Sequence, residues 1–225
     1  MNNVPNNSFF VTGTDTDIGK TYVCRVLADA FALFSPVTYM KPIAAGCGPN
    51  GSDFDCVMRG RARPVCPVRD HQPYRFKKAC SPHLAASLAG RPISLRVILN
   101  AYHTVRAAAQ GVVLIEGAGG LMAPLSSRRF MIDLVKRIKA PVVLVTGPHL
   151  GTLNHTFLSI EALRSRQIPL AGVVVNNARN LRRDFIYADN LETIRRAVRP
   201  APVLELDHGE KVNGACRTFC KKIAG

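Results

Sequence analysis

The chain has 225 residues, and its 30 Lys and Arg residues against 15 Asp and Glu residues give a formal net charge of +15. The basic residues lie in small scattered clusters without interleaved aromatics or a DNA-binding motif, which disfavours nucleic acid as a partner. A chain of this length can bury one core, and it shows neither a signal-peptide pattern nor a membrane-spanning apolar run, so we expect one cytoplasmic domain over residues 1–225 without membrane contact.

The first elements predict a buried strand, a polar loop and then an amphipathic helix. Phe9–Val11 form a short apolar run, and the loop Gly13–Thr21 leads into the helix. In loops of this kind, backbone N–H groups and the helix N-terminus hold phosphate, a lysine reaches the terminal phosphates, and a hydroxyl holds magnesium. The spacing is one residue off the standard pattern, because Thr14 stands where glycine is expected. We therefore predict a nucleotide-phosphate site in which Lys20 and Thr21 have these two roles.

Two further strands are predicted to end in charged residues. Residues 37–40 run directly into Lys41, and residues 112–115 run into Glu116. In open α/β sheets, ligands bind at the carboxyl ends of the strands. Glu116 stands where a magnesium-side carboxylate is expected beside a phosphate loop. A surface lysine and a structural carboxylate are the alternative interpretations of Lys41 and Glu116.

The rest of the chain alternates between predicted helices and strands. Helices are predicted over residues 22–34, 52–60, 81–88, 93–110, 131–138, 156–165, 184–198 and 213–223, and strands over 9–11, 37–40, 112–115, 141–146, 170–175 and 203–206. Residues 61–79 are predicted to form a long irregular connection. Asn176 and Asn177 end a strand with side-chain amides that could read an adenine edge, although such pairs also make ordinary turns. The pattern predicts a doubly wound, mostly parallel α/β sheet.

Several segments together resemble the dethiobiotin synthetase family. They occur in that family's order and at similar intervals, and they are Val11–Thr21 with its extra residue, Lys41-Pro42, Ser52-Asp53, Ser81-Pro82-His83, Glu116–Gly120, Leu150–His155 and Asn176. This combination is more specific than any single motif. The resemblance implies a P-loop-type ligase that uses ATP and Mg²⁺ to convert 7,8-diaminononanoate and CO2 into dethiobiotin, through a carbamate and a carbamic-phosphoric anhydride.

The resemblance also implies roles for individual residues. Lys20 and Lys41 would be catalytic, with Lys20 on the β- and γ-phosphates and Lys41 between the carbamate and the γ-phosphate. The implied ATP contacts are Asp17, Ile18, Gly19, Lys20, Thr21, Tyr22, Asp53, Glu116, Gly117, Ala118, Gly119, Asn176 and Asn177. The implied substrate contacts are Thr16, Ala45, Gly151, Thr152, Leu153, Asn154 and Tyr187. The implied magnesium ligands are Thr21, Asp53 and Glu116.

The family further implies a homodimer whose substrate site lies at the interface. The substrate carboxylate would bind near the start of the helix after Gly151 in the other subunit, where free N–H groups suit an anion. Tyr187 of that same subunit would close over the aliphatic chain.

The chain departs from the family pattern at several positions. Ala45 stands where members often have Ser, and Asn177 stands where they often have Asp. Asp55 could replace Asp53 beside the metal. The segment after Leu204 lacks the usual adenine-side loop.

ATPases of the ParA and MinD kind, which act as switches on DNA or membranes, are the competing interpretation. They would account for the positive charge. They carry an additional lysine early in the phosphate loop, however, where this chain has Thr14 and Asp15. A related amide-forming ligase that acts on a corrinoid would need a longer chain.

Overall fold

The computed structural model describes residues 7–48 and 52–225 of the chain. Its strands are, in chain order, β1 (Ser8–Gly13), β2 (Val37–Met40), β3 (Ile43–Ala44), β4 (Tyr74–Arg75), β5 (Val112–Gly120), β6 (Pro124–Ser126), β7 (Arg129–Phe130), β8 (Val142–Thr146), β9 (Leu170–Asn176) and β10 (Val203–Leu206). Six of them form a parallel sheet in the order β10-β9-β8-β1-β5-β2. The predicted parallel sheet is confirmed, with β1 in its interior.

Helices cover both faces of this sheet. They are α1 (Lys20–Phe31), α2 (Asp53–Met58), α3 (Val68–His71), α4 (Pro82–Leu88), α5 (Leu95–Ala108), α6 (Met131–Ile138), α7 (Thr152–Ser165), α8 (Phe185–Ala197) and α9 (Gly214–Ala224). On one face α1, α2 and α9 pack in one core cluster with Val11, and on the other face α4, α5 and α6 pack with Phe10. Because alternate strand residues point to opposite faces, the apolar runs of the sequence bury side chains on both sides. No helix in the described ranges is long and apolar enough to cross a membrane.

Helix α7 begins at Thr152, earlier than the predicted start at residue 156. Gly151 has φ 90°, and this left-handed conformation turns the chain straight into the helix. The Thr152 hydroxyl then donates to the Gly147 carbonyl oxygen at 2.6 Å. Thr146, at the end of β8, lies within 2.8 Å of the hydroxyls of Thr152 and Thr156. A buried group of threonines therefore fixes the start of α7 against the central sheet.

The connection over residues 61–79 is more ordered than predicted, because it contains α3 and β4. It covers the outer edge of β2, the last strand of the sheet. The backbone N–H of Arg63 donates to the carbonyl oxygen of Val37 at 2.9 Å, and the N–H of Lys41 donates to that of His71 at 2.9 Å. These bonds satisfy edge groups that would otherwise be free to pair with another chain.

Candidate active site

The phosphate-type loop turns sharply between β1 and α1. Asp17 has φ 57° and Gly19 has φ 87°, so two residues near the helix start are left-handed. A Cβ atom at Gly19 would lie 2.2 Å from Nδ2 of Asn176, which leaves room only for glycine. That Asn176 nitrogen donates to the carbonyl oxygen of Ile18 at 2.9 Å. The loop is therefore tied to the end of β9, and α1 begins directly behind it with an N-terminus suited to an anion.

Four side chains from separate elements meet behind this loop. The Lys41 ammonium contacts Asp53 at 2.7 Å and also pairs with Glu116. The Thr21 hydroxyl donates to Glu116 Oε1 at 2.9 Å. Lys41 follows β2, Asp53 opens α2, Glu116 lies in β5 and Thr21 lies in the first turn of α1. The parallel sheet places these groups at one edge, as the sequence predicted.

The electrostatics of the cluster keep its charges in place. Burial alone would lower the pKa of Lys41, but the carboxylates of Glu116 and Asp53 outweigh burial and raise it above the ordinary value. Burial would raise the pKa of Asp53, yet its bonds to Lys41 bring that pKa below the ordinary value. Burial and the neighbouring charge of Lys41 lower the pKa of Lys20. Lys20 donates to the carbonyl oxygen of Asp15 at 2.8 Å, and its ammonium therefore lies over the loop.

The geometry separates the two aspartates that the sequence left as alternatives. Asp53 faces Lys41, whereas Asp55 accepts from the backbone N–H and the hydroxyl of Ser52 at 2.7 and 2.8 Å. Asp55 therefore stabilises the start of α2. Of the two, only Asp53 lies beside Lys41.

A cavity of about 750 Å³ opens in front of the cluster. It brings together most of the residues implied for ATP, metal and substrate, namely Thr16, Asp17, Gly19, Lys20, Thr21, Lys41, Ala45, Asp53, Glu116, Ala118 and Gly119. Ile43, Ala79, Pro82 and Ala123 add apolar walls. Gly117 lies behind it, where a Cβ atom would come within 2.9 Å of the Phe10 ring. The cavity thus combines a phosphate-type loop with an apolar surface.

A second cavity of about 220 Å³ adjoins the loop on the side of β9. Its walls include Gly19, Tyr22, Asn176 and two residues that the sequence did not single out, His208 and Gly209. Oδ1 of Asn176 is buried and has no hydrogen-bond partner among the described residues. An unpaired buried acceptor at a cavity wall can bind a donor on a ligand. The segment after Leu204 therefore closes this cavity even without the usual family loop.

Two implied contacts lie elsewhere. The Asn177 amide donates to the carbonyl oxygen of Leu181 at 2.9 Å and accepts from its N–H at 2.7 Å. This side chain therefore stabilises a turn and does not line the second cavity. Tyr187 is buried in the core cluster between α7 and α8, and its hydroxyl donates to Glu205 at 2.7 Å. Its ring is therefore not free to close over a substrate. Asn177 thus forms the ordinary turn that the sequence left as its alternative, whereas the environment of Tyr187 depends on tertiary contacts.

The segment Gly151–Asn154 does not line the large cavity of its own chain. Gly151 and Asn154 are exposed at the start of α7.

One further residue of the cluster was missed by the sequence analysis. The Tyr39 hydroxyl donates to Glu116 Oε2 at 2.6 Å. Its position two residues before Lys41, and so on the same face of β2, was the available signal.

Comparisons with known proteins separate the fold from the family. The solved structures that resemble this chain include a plasmid partition protein from Borrelia burgdorferi, with a TM-score of 0.61, 8% identity and coverage of 97% of this chain and 96% of that one. The MinC:MinD cell division protein complex of Aquifex aeolicus gives a TM-score of 0.53 at 12% identity, with coverage of 97% and 93%. At these identities the likeness shows a shared P-loop-type fold and nothing finer.

Sequence relatives are much closer. A family model described as an AAA domain matches residues 7–213. ATP-dependent dethiobiotin synthetase BioD of Halalkalibacterium halodurans is 40% identical over 84% of this chain and 79% of its own length. The synthetase of the same name from Aeromonas hydrophila is 39% identical over 88% of both chains. Because this similarity extends over most of both sequences, the chain belongs to the family of ATP-dependent dethiobiotin synthetases.

Proposed function

We propose that this chain is the ATP-dependent ligase that forms dethiobiotin from 7,8-diaminononanoate and CO2 in biotin biosynthesis. The observation that carries the proposal is the pair of lysines, Lys20 and Lys41, on the wall of one cavity behind a phosphate-type loop. In the proposed reaction a carbamate anion attacks the anionic γ-phosphate, so the barrier falls mainly through positioning and fixed positive charge. Two ammonium groups converging on one cavity supply that charge.

The proposed reaction has three bond-forming steps. One amine of the substrate attacks CO2, forms a C–N bond and loses a proton, which gives the carbamate. A carbamate oxygen then attacks the γ-phosphorus, and the bond from that phosphorus to ADP breaks. The second amine attacks the carbonyl carbon of the resulting anhydride and loses a proton, phosphate leaves, and the cyclic urea closes.

The cavity residues divide naturally among these steps. Lys20, which folds back over the loop, would neutralise the β- and γ-phosphates, and Lys41 would stand between the carbamate and the γ-phosphate. Thr16 would orient the diamine or its carbamate from the loop. Ala45 and the apolar wall would pack against the aliphatic chain and exclude water.

A magnesium ion fits the donor set of the cluster. Thr21, Asp53 and Glu116 offer a hydroxyl and two carboxylates, all oxygen ligands, around the point where the Lys41 ammonium makes its contacts. Mg²⁺ typically binds one or two protein carboxylates together with substrate phosphates. When bound there it would neutralise charge on the phosphates of ATP.

The second cavity, beside Asn176, supports adenine as the base of the bound nucleotide. Oδ1 of Asn176 is a buried acceptor without a partner, and its Nδ2 is already used by Ile18. The exocyclic amine of adenine can donate to this oxygen, whereas the carbonyl of guanine at the same place would bring two acceptors together.

An exposed apolar face on α7 supports the proposed homodimer. Leu150, just before the helix, is 80% exposed, and Phe157 and Leu158 on the helix are 36% and 62% exposed. Such a face normally marks an interaction surface. In a dimer built on this face, the helix start at Gly151–Asn154 would lie near the partner's cavity, and its free N–H groups together with the exposed Asn154 amide would bind the substrate carboxylate.

The test is a reconstituted reaction with purified protein, 7,8-diaminononanoate, bicarbonate, Mg²⁺ and ATP. We expect dethiobiotin by mass spectrometry, phosphate release that depends on the diamine, and a clear preference for ATP over GTP. A parallel reaction replaces the diamine with double-stranded DNA. Phosphate release that responds to DNA and not to the diamine would overturn the proposal in favour of a partition-type ATPase.

A further inference from the structure

Glu116 has two oxygens with different partners. Oε1 accepts from the Thr21 hydroxyl at 2.9 Å and also contacts the Lys41 ammonium, on the side of the cavity. Oε2 accepts from the Tyr39 hydroxyl at 2.6 Å, in a contact that is fully buried. The carboxylate is therefore held from behind by a phenol while its other oxygen faces the groups of the cavity.

The strand register explains how Tyr39 reaches this carboxylate. Tyr39 of β2 pairs with Leu114 of β5, and Glu116 lies two residues further along β5. Because alternate residues share a face, Tyr39, Lys41 and Glu116 all project to the side covered by α1 and α2. Tyr39 therefore lies two residues before the position opposite Glu116, and Lys41 follows β2 at that position.

The surroundings of Tyr39 hold its ring in place. Its ring lies against that of Phe54, with 5.9 Å between the centroids, and Phe54 follows Asp53 in α2. Its backbone oxygen accepts from Nδ1 of His71 at 2.7 Å. The phenol hydroxyl supplies the proton of its 2.6 Å bond, since a carboxylate oxygen can only accept it.

We propose that Tyr39 is a positioning residue for Glu116: its hydroxyl fixes Oε2 so that Oε1 is presented to the Mg²⁺–nucleotide complex. This inference rests on the proposed function of the cluster. A neutral donor suits this purpose, because it stabilises the carboxylate without adding a positive charge that would repel the metal. Groups that orient metal ligands in this way typically change metal affinity about 10–100-fold when they are removed.

The test compares Tyr39→Phe with wild type and with a matched control. Tyr102→Phe removes another buried tyrosine hydroxyl, which donates to Ser8 Oγ at 3.0 Å away from the cavity. Binding of a fluorescent ATP analogue is measured with and without Mg²⁺, and the Mg²⁺ concentration for half-maximal enhancement is read from a titration. We expect Tyr39→Phe to raise that concentration at least about 10-fold and to leave metal-free nucleotide binding within about 2-fold. We expect Tyr102→Phe to change neither.

A double-mutant cycle with Glu116→Gln makes the test independent of general destabilisation. If Tyr39 acts through Glu116, adding Tyr39→Phe to Glu116→Gln causes little further change in Mg²⁺ dependence. The inference would be overturned if the two substitutions changed the Mg²⁺ dependence additively, or if Tyr39→Phe weakened nucleotide binding equally with and without Mg²⁺. Mg²⁺-dependent binding by wild type that Tyr39→Phe leaves unchanged would overturn it and leave the proposed function standing. Wild-type binding that ignores Mg²⁺ would instead refute the metal site, and this inference with it.

Discussion

Lys41 is only 4% exposed, yet it keeps its charge because Asp53 and Glu116 both contact its ammonium. A buried ion pair of this kind is costly to build, and removing one partner leaves charge without compensation. Keeping a charged lysine here is understandable if the charge is needed in the reaction. The residue is held ready beside the phosphate-type loop rather than recruited from solvent.

Lys41→Met tests this role, since methionine fills similar space without charge. We expect dethiobiotin formation to fall about 10²–10³-fold in kcat, the usual loss when one group that stabilises developing charge is removed. ATP affinity should stay within a few-fold, because Lys20 and the loop still bind the phosphates. Steady-state kinetics and nucleotide titration measure the two quantities, and Lys221→Met, at an exposed position of α9, is the control. A variant that retained most of its kcat would remove Lys41 from the mechanism.

Substitutions of Asp53 and Asp55 are predicted to have different effects on the Mg²⁺ requirement. Asp53→Asn should raise the Mg²⁺ requirement about 10-fold or more, and it should also lower stability because it removes one of the two carboxylates on the buried Lys41 ammonium. Asp55→Asn should cost about 0.5–2 kcal/mol of unfolding free energy through the lost helix cap and leave Mg²⁺ dependence unchanged. Denaturant unfolding and Mg²⁺ titration separate the variants. The reverse pattern would mean that Asp55 is the metal-side carboxylate.

For single residues, the sequence predicted the roles that depend on residue type and on position along the chain. Lys41 directly follows β2 and Glu116 directly follows the apolar run of residues 112–115 within β5, and a charged residue is conspicuous after an apolar run. Tyr39 was not predicted, because a tyrosine inside a strand reads as ordinary core. Asn177 and Tyr187 have the right chemistry to bind a ligand, but Asn177 bonds to Leu181 in a local turn, and Tyr187 bonds to Glu205 through a tertiary contact.

Among the elements, the edge strand β2 depends on the connection that covers it, and His71 fastens the two together. Nδ1 lies 2.7 Å from the carbonyl oxygen of Tyr39 and therefore carries the proton, and Nε2 accepts from the N–H of Val65 at 3.3 Å. Burial lowers the pKa of His71, against the opposing influence of Asp70. A protonated ring could no longer accept from Val65.

The lowered pKa gives a signed pH prediction. Between the folded pKa and the unfolded value of about 6.5 the unfolded chain binds more protons, so stability is complete above that range and falls as the solution is acidified through it. We expect the thermal midpoint of wild type to drop between about pH 7.5 and pH 5.5. His71→Asn should be less stable at neutral pH but show a flatter pH dependence, whereas exposed His103→Asn should follow wild type. If the thermal midpoint had the same pH dependence in all three proteins, His71 would not be the group responsible for the loss of stability in acid.

The predictability of elements follows how distinct their apolar pattern is. Helix α6 and strands β2 and β10 were predicted with the bounds the structure has, because their apolar patterns are clear and their neighbours break them. Helix α3 and the β6–β7 hairpin were missed because they contain few apolar residues, although α3 is as long as β2 and β10. The early start of α7 depends on the left-handed Gly151 and the buried threonines, which periodicity does not report.

The whole molecule carries a net charge of +15, while the proposed reactants ATP and carbamate are anions. A net positive charge attracts anions to the protein as a whole and accelerates their encounter with it, with an effect that weakens as salt is added. The apolar face of α7 interrupts this charged surface. Exposed Leu158 and the helix start belong to the same element, so covering the face in a dimer would also fix the position of Gly151–Asn154.

Leu158→Glu should therefore produce a monomer, because it places a charge in the proposed interface. Leu88→Glu on α4 is the matched control, since both leucines are 62% exposed. Light scattering after gel filtration gives the masses. Equal masses for wild type and both variants would refute the interface on α7.

Mixing two inactive variants then tests whether subunits share sites. Lys41→Met and Asn154→Ala are each expected to lose most activity, the first through charge and the second through the carboxylate contact. If each cavity uses the partner's α7, a mixed dimer contains one site with both residues intact, and random reassociation restores about a quarter of wild-type activity. If each subunit completed its own cavity, the mixture would stay inactive, because every site would lack one of the two side chains. Recovery after mixing, absent when either variant also carries Leu158→Glu, would tie catalysis to the dimer.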